Sequence, residues 1–549
     1  MRKRTVLFSA MVVILTLVGG LVVSCAPAAT PTVAPPAETP TAPTPTPPPP
    51  APTPTTPPPA GPKRGGILKW SREGISMNLD PVWTDSNVDV WIYPNYYEPL
   101  VRVNREGTAI EPALAESWDI SDDGLVYTFH LRPGVKFHDG SLLKASDVVW
   151  SLDRARDPEA GIWSWSLENV DKIEAVDDST VEITLKAPSS NFLSMMGLFN
   201  ASILPQKVVE EMGEEEFFKH PIGTGPFKVT EYVVSDYLEF EKNPYYWELG
   251  ADGEPLPYLD GIKIVQVPEG STRPLQVQSG DMDATDTIPF SMISELEANP
   301  NIAVQLWPST ITYYVFLNHR KPPMDDVKVR LAMNYAIDKQ ALIDTAVFGY
   351  GEEATSFRPK AGVCWNSDLE GFPYDLEKAK QLMAESNYPD GYKGLEAAVM
   401  AGNVMQRDIA TIVKEMWAKI GIEADVQEFE GAMIRERYYQ DDQTVMCGWS
   451  WTDDVLDAQQ QEEYFAVSPA LHSGWQNDRV TELAQAAVLE LDQDKRCEMY
   501  EEIQKIFNEE AVAVLLFHAP FNVLVRNEVK GFSQIPLGWL IWKETWLDR

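Results

Sequence analysis

The chain is predicted to fold as α/β, with mixed sheets covered by helices, and three observations carry the prediction. In the second half, strands of period two alternate with apolar stripes of helical period, the pattern of helices laid on a sheet. From Leu125 to Leu131 apolar residues alternate with Thr128 and His130, which is a half-buried strand ended by Pro133-Gly134. Residues 63–549 have an ordinary proline content and are too long for one core, so two or more lobes are expected.

The first half supplies the hairpin signals. Leu125, Tyr127, Phe129 and Leu131 share one face, Val135 and Phe137 begin a second strand, and Asp139-Gly140 closes it. A helix follows with Val148, Val149 and Leu152 on its apolar stripe and Asp147 near its positive end. In the second half, Thr312–Leu317 reads as a strand, and Asp325-Asp326 opens a helix carrying Val327, Leu331 and Tyr335. Asp338 is placed as an N-cap, with Ile337 and Leu342 as a hydrophobic staple. Ile409, Ile412, Val413, Met416 and Ile420 form a helix stopped by Gly421, before a strand through Ile422, Ala424 and Val426. Further helices are expected over 375–386 and 480–508, then a β-rich run Val512–Phe517.

The N-terminus reads as an export signal. Arg2-Lys3-Arg4 precede an uncharged apolar run, and Val22-Val23-Ser24-Cys25 resembles the lipobox of bacterial lipoproteins, which would make Cys25 a lipidated mature N-terminus. The alternative is an uncleaved helix over Thr5–Ser24, just long enough to span a bilayer of ~30 Å. Both put the body outside the cytoplasm. Residues 26–62 hold 17 of the 43 prolines, interleaved with Thr and Ala, and should extend as a stalk without a core.

A formal charge of −37 argues against nucleic acid and anionic headgroups, and is otherwise explained by solubility. Besides Cys25 there are Cys364, Cys447 and Cys497; one disulfide is possible outside the cell, with the pair left open, and no CxxC supports zinc. The six histidines show no ligand spacing, so no metal or cofactor is expected. No GxSxG, HExxH or Cys beside His marks a catalytic centre, so an enzyme is not expected.

Asp123 to Gly140, running on to Ala145-Ser146-Asp147-Val148, closely resembles the signature block of the extracellular solute-binding proteins of ABC importers, family 5, which includes dipeptide- and oligopeptide-binding proteins. Pro221–Phe227, Asn243–Trp247, Val327–Ala332 and Ala336–Lys339 match as well. The resemblance implies a bilobal periplasmic-binding-protein-like fold of class II type. Residues 1–24 would be the signal peptide, 25–63 a lipid-anchored linker, 64–310 lobe 1 with a subdomain near 96–215, 311–518 lobe 2, and 519–549 a return to lobe 1. Hinge crossings would fall near Val304–Ile311 and Leu515–Phe521. It implies a monomer at the outer face of the cell membrane that closes on a short peptide or other small solute and presents it to permease subunits.

In the peptide-binding relatives an Asp soon after Gly-Trp receives the ligand's α-ammonium group. The matching stretch is Gly448-Trp449-Ser450-Trp451-Thr452-Asp453-Asp454, offset by one residue, so the resemblance points to Asp453, with Asp454 beside it. Trp449 and Trp451 would share a face and offer flat apolar surface, as would Trp83 in a first-lobe loop. Arg407 and Arg435 could receive a carboxylate, though exposed helix positions explain both equally, and Asn318 and Arg358 fall in loops near the expected cleft. His138 and Asp139 are read as structural. The alternatives are an oligosaccharide receptor of the same family, a surface hydrolase, and a sensor lipoprotein.

Overall fold

The computed structural model describes residues 61–549 apart from 77, 85, 468 and 469. The expected signal peptide, Cys25 and the expected stalk up to residue 60 lie outside the described residues.

Two large mixed sheets organise the chain. A seven-stranded sheet runs in the order Ile302–Trp307, Phe521–Arg526, Ala284–Asp286, Ile67–Arg72, Gly261–Gln266, Tyr237–Lys242, Phe227–Val233. Ile67–Arg72 is parallel to both neighbours, and the other pairs are antiparallel. A six-stranded sheet runs Glu352–Glu353, Val514–His518, Thr312–Leu317, Val445–Trp451, Tyr392–Met400, Ile422–Phe429. Its last three strands pair in parallel, the mark of helical crossovers. The chain passes from one sheet to the other twice, between Trp307 and Thr312 and between His518 and Phe521. A four-stranded antiparallel sheet of Ala115–Ile120, Val126–Leu131, Thr180–Leu185 and Val170–Asp177 stands apart with its own apolar cluster around Phe129, Phe137 and Val148.

The alternation expected at 125–131 is observed, with Tyr127, Phe129 and Leu131 buried in the strand Val126–Leu131. The strand expected to start at Val135 is shorter than predicted. It shrinks to one bridge between Lys136 and Leu142, because the tight turn at Gly140 (φ +87°) leads straight into the helix Ala145–Ala155. Asp338 caps the helix Lys339–Ala346 by accepting from Ala341 N–H at 3.0 Å, over buried Ile337 and Leu342. The helix Val327–Tyr335 buries Val329, Ala332 and Met333 rather than the stripe through Val327, since a second helix, Leu376–Ala384, packs on its flank and shifts the covered face. The span near 480–508 is two helices, Asp478–Leu489 and Gln493–Glu509, divided where Asp492 accepts from Asp494 and Lys495 N–H.

Cys364 and Cys497 form a disulfide across 133 residues, with Cα atoms 4.8 Å apart. It fastens the loop that carries Arg358 to the helix Gln493–Glu509. Cys447 is buried and free, its thiol pushed up to about 12 by burial.

Candidate functional site

The site grows from the end of the strand Val445–Trp451. Gly448 takes φ +68°, and a Cβ there would meet the Gln406 backbone and Ile409 at 3.1 Å. The register slips opposite it, between Tyr314 and Phe316. Beyond the slip, Trp449 and Trp451 are half-buried on one aromatic cluster, and Trp451 stacks on Tyr464 with ring centres 3.7 Å apart. The Tyr464 and Tyr314 hydroxyls bond each other at 2.9 Å, which fixes that stack to the neighbouring strand.

The chain then turns into a loop carrying three carboxylates. Asp453 N–H donates to the Thr310 hydroxyl at 3.1 Å, tying the loop to the first crossing between the sheets. Gln460, on the helix Gln459–Phe465, accepts from Asp454 and Val455 N–H and donates to the Asp454 carboxylate. Arg496 grips Asp457 with both terminal nitrogens, at 2.6 and 2.5 Å. Arg358 and Glu462 are each wholly buried and paired: Arg358 Nε donates to Glu462 Oε1 at 3.2 Å, and Nη2 contacts Oε2 and donates to Ala458 O at 2.5 Å.

Asp453 is the exception. Its side chain is 2 % exposed, the nearest cation is Arg358 Nη1 at 3.6 Å, and Oδ1 makes no hydrogen bond. Burial raises the titration of Asp453 to about 8. Arg358 pulls it down, Glu462 and Asp454 push it up, and the Trp451 indole lowers it slightly without completing a hydrogen bond. Burial also raises Glu462, against the attraction of Arg358.

Around Asp453 lies a cavity of about 10 Å³, room for one water molecule, lined also by Thr310, Gly362 and Asp457, and from the other side by Gly107, Pro536 and Leu537. The two halves of the molecule therefore meet at this carboxylate. They also touch where Ser194 Oγ donates to Leu456 O at 2.8 Å, Asn191 bonds Gln459, and Ser190 N–H donates to Val488 O at 3.2 Å. Beside these contacts a wider groove of about 540 Å³ runs between Trp165, Glu168 and Lys186 on one half and Gln459, Glu463 and Val488 on the other. Another cavity, of about 340 Å³, lies inside the first half, where Arg102 and Lys543 are already paired with Glu248.

The remaining candidates are dispersed. Trp83 is 52 % exposed on the turn after Asp80. Asn318 is buried and bonded to the Asp441 and Gln443 carbonyls. Arg407 is exposed and reaches Glu428 at 3.5 Å, and Arg435 is exposed. Arg358 is wholly buried, with Nε and Nη2 committed to Glu462 and Ala458 O and Nη1 without a hydrogen bond. Sequence reasoning did not single out Asp457, Glu462, Tyr464, Arg496 or Thr310. One signal was available: Gln459-Gln460-Gln461-Glu462-Glu463 is a polar run in a helix whose Gln460, Gln461 and Glu462 are buried. Among the described residues, no group of three or more His, Cys, Asp or Glu is arranged to hold a metal ion.

The fold is that of a two-sheet α/β protein, and comparison with known proteins gives its family. Residues 109–470 match the model of bacterial extracellular solute-binding proteins, family 5 Middle, and the chain belongs to that family. It is 31% identical over 478 residues to heme-binding protein A of Haemophilus influenzae, covering 81% of this chain and 85% of that one. It is likewise 31% identical over 476 residues to the dipeptide-binding protein of Escherichia coli, covering 80% and 87%. Among solved structures, the ABC transporter-associated periplasmic binding protein DppA of Helicobacter pylori, in complex with the peptide STSA, superposes with a TM-score of 0.77 at 28% identity, over 89% of this chain and 99% of that one. The fold is that of the bilobal periplasmic binding proteins.

Proposed function

We propose that the chain is the receptor of an ABC importer for short peptides, and that Asp453 receives the peptide's α-ammonium group. The observation that carries this reading is the Asp453 carboxylate: buried at the junction of the halves, with one oxygen lacking any hydrogen bond. An unmet acceptor in a low-dielectric site costs about 1–3 kcal/mol, and a ligand N–H₃⁺ satisfies it with a charge-assisted bond. The head-sized space beside it suits an ammonium group, which is close to water in size. The peptide relatives support the ligand class.

In this reading lobe 1 comprises 64–310 and 519–549, lobe 2 comprises 311–518, and the short crossings around Thr310 and Ala519 are the hinge. A ligand closes the clamp because it contacts both lobes only in the closed state. The Trp451–Tyr464 stack forms an apolar wall for the peptide's first residues. The protein acts as a monomeric, non-catalytic carrier, anchored through lipid on Cys25, that hands its solute to permease subunits. Mass spectrometry of the co-purifying ligand, with calorimetry against dipeptide and oligosaccharide pools, tests it: heat from dipeptides supports the reading, and heat from sugars alone overturns it.

A further inference from the structure

A guanidinium stands 3.6 Å from Asp453 and yet leaves Asp453 Oδ1 without a bond, with its own Nη1 also without one. Two unmet groups so close would ordinarily close the gap. What prevents it is visible in the partners of Arg358. Its Nε and Nη2 are committed to Glu462 and to the Ala458 carbonyl. Its backbone is held as firmly: Arg358 N–H donates to Ser356 Oγ at 2.9 Å, the single Ser356 O–H lies within reach of Arg358 O (2.8 Å) and Gln504 Oε1 (3.1 Å), and Gln504 Nε2 donates to Cys364 O at 2.8 Å. The Cys364–Cys497 disulfide closes the same loop onto the same helix.

We infer that Glu462 is a positioning residue for solute binding: by holding the Arg358 guanidinium back, it keeps Asp453 unpaired and so reserves that carboxylate for a cationic group of the ligand. The inference rests on the reading of Asp453 as the ammonium acceptor and deepens it. Were Arg358 to pair fully with Asp453, the site would be electrically complete without a ligand, and an incoming ammonium would have to displace a guanidinium. The groups facing Asp453 are few. Arg358 comes from the 356–366 loop, Glu462 from the helix Gln459–Phe465, and Asp454 and Asp457 from its own loop; Thr310 and Trp451 are neutral, and among the described residues the first half lines the cavity with Gly107, Pro536 and Leu537. Arg496 is spent on Asp457.

The test needs no ligand. A carboxyl that titrates higher folded than unfolded loses its proton first in the unfolded chain, so its contribution to stability falls as pH rises from its unfolded value of ~4 toward its folded value, by up to about tenfold in the folding constant per pH unit. Thermal unfolding of the purified protein between pH 5 and 9 is measured for wild type, D453N, E462Q and the double variant. In the wild-type background D453N gains stability over Asp453 as pH rises. In the E462Q background that gain is at least halved, and a crystal structure of E462Q places Arg358 Nη1 within hydrogen-bond distance of Asp453. Should E462Q fail to fold, Glu462→Asp keeps the charge, draws the guanidinium further away and steepens the gain. An equal gain in both backgrounds, or Arg358 unmoved in E462Q, overturns the positioning role whatever the protein binds. Undiminished dipeptide binding by D453N, with Arg358 Nη1 moved onto Asp453 in E462Q, overturns the ammonium contact and with it the role in solute binding, and upholds only that Glu462 holds Arg358 back from Asp453.

Discussion

The signature hairpin around His138 and the loop around Asp453 are both buried and polar, and they differ in one respect. In the hairpin His138, Asp139 and Asp147 each have hydrogen-bond partners. His138 Nδ1 accepts from Gly223 N–H and Nε2 meets Gly225 O, each at 3.1 Å, and burial holds the ring neutral by lowering its titration to about 4. Asp139 accepts from both the amide and the hydroxyl of Ser141, and Asp147 from Lys144 N–H. At the other loop two ion pairs are complete, Arg496–Asp457 and Arg358–Glu462, Asp454 is bonded to Gln460, and Asp453 Oδ1 is left without a hydrogen bond. A satisfied buried group stabilises its own fold; an unsatisfied one costs stability until a ligand arrives. The stretch that names the family and the stretch that would hold the solute are therefore separate, and differ in kind.

Substitutions should separate them further. The largest effect is expected from Arg496→Met, which strands the Asp457 carboxylate, 5 % exposed, and should lower stability by about 3–5 kcal/mol in chemical unfolding. Replacing Cys364 and Cys497 together with Ser reopens a 133-residue loop and should cost about 2–4 kcal/mol, read as a lower unfolding midpoint. His138→Ala removes both contacts of the ring and leaves a cavity, so about 2 kcal/mol of stability should go while solute affinity stays at the wild-type value. A fall in affinity as large as the fall in stability would erase the contrast between hairpin and loop. The smallest effect belongs to Arg407→Ala: its exposed contact with Glu428 is worth less than about 0.5 kcal/mol, and calorimetry should find solute binding unchanged.

What could be read in advance divides along the same line. The strand Val126–Leu131, the Asp338 cap and the Gly421 stop are local, since residues a few positions apart decide them. The pairings at the site are not local. Arg358 meets Glu462 across 104 residues, and Cys364 meets Cys497 across 133, so nothing near either partner in sequence names the other. Arg358 is expected in a loop near the cleft, but that its Nε and Nη2 are held by Glu462 and Ala458 depends on a helix whose buried polar run carries no apolar stripe to announce it. Asn318 illustrates the reverse: an Asn in a loop near the expected cleft, whose amide is used up on two backbone carbonyls.

Titration calorimetry of wild type and D453N at pH 7 with a dipeptide mixture, with and without N-terminal acetylation, tests the role of Asp453 most directly. Binding by wild type to the free-amine peptides, weakened at least thirtyfold by either acetylation or D453N, is the predicted result. Equal affinity of the two proteins for the free-amine peptides would contradict it.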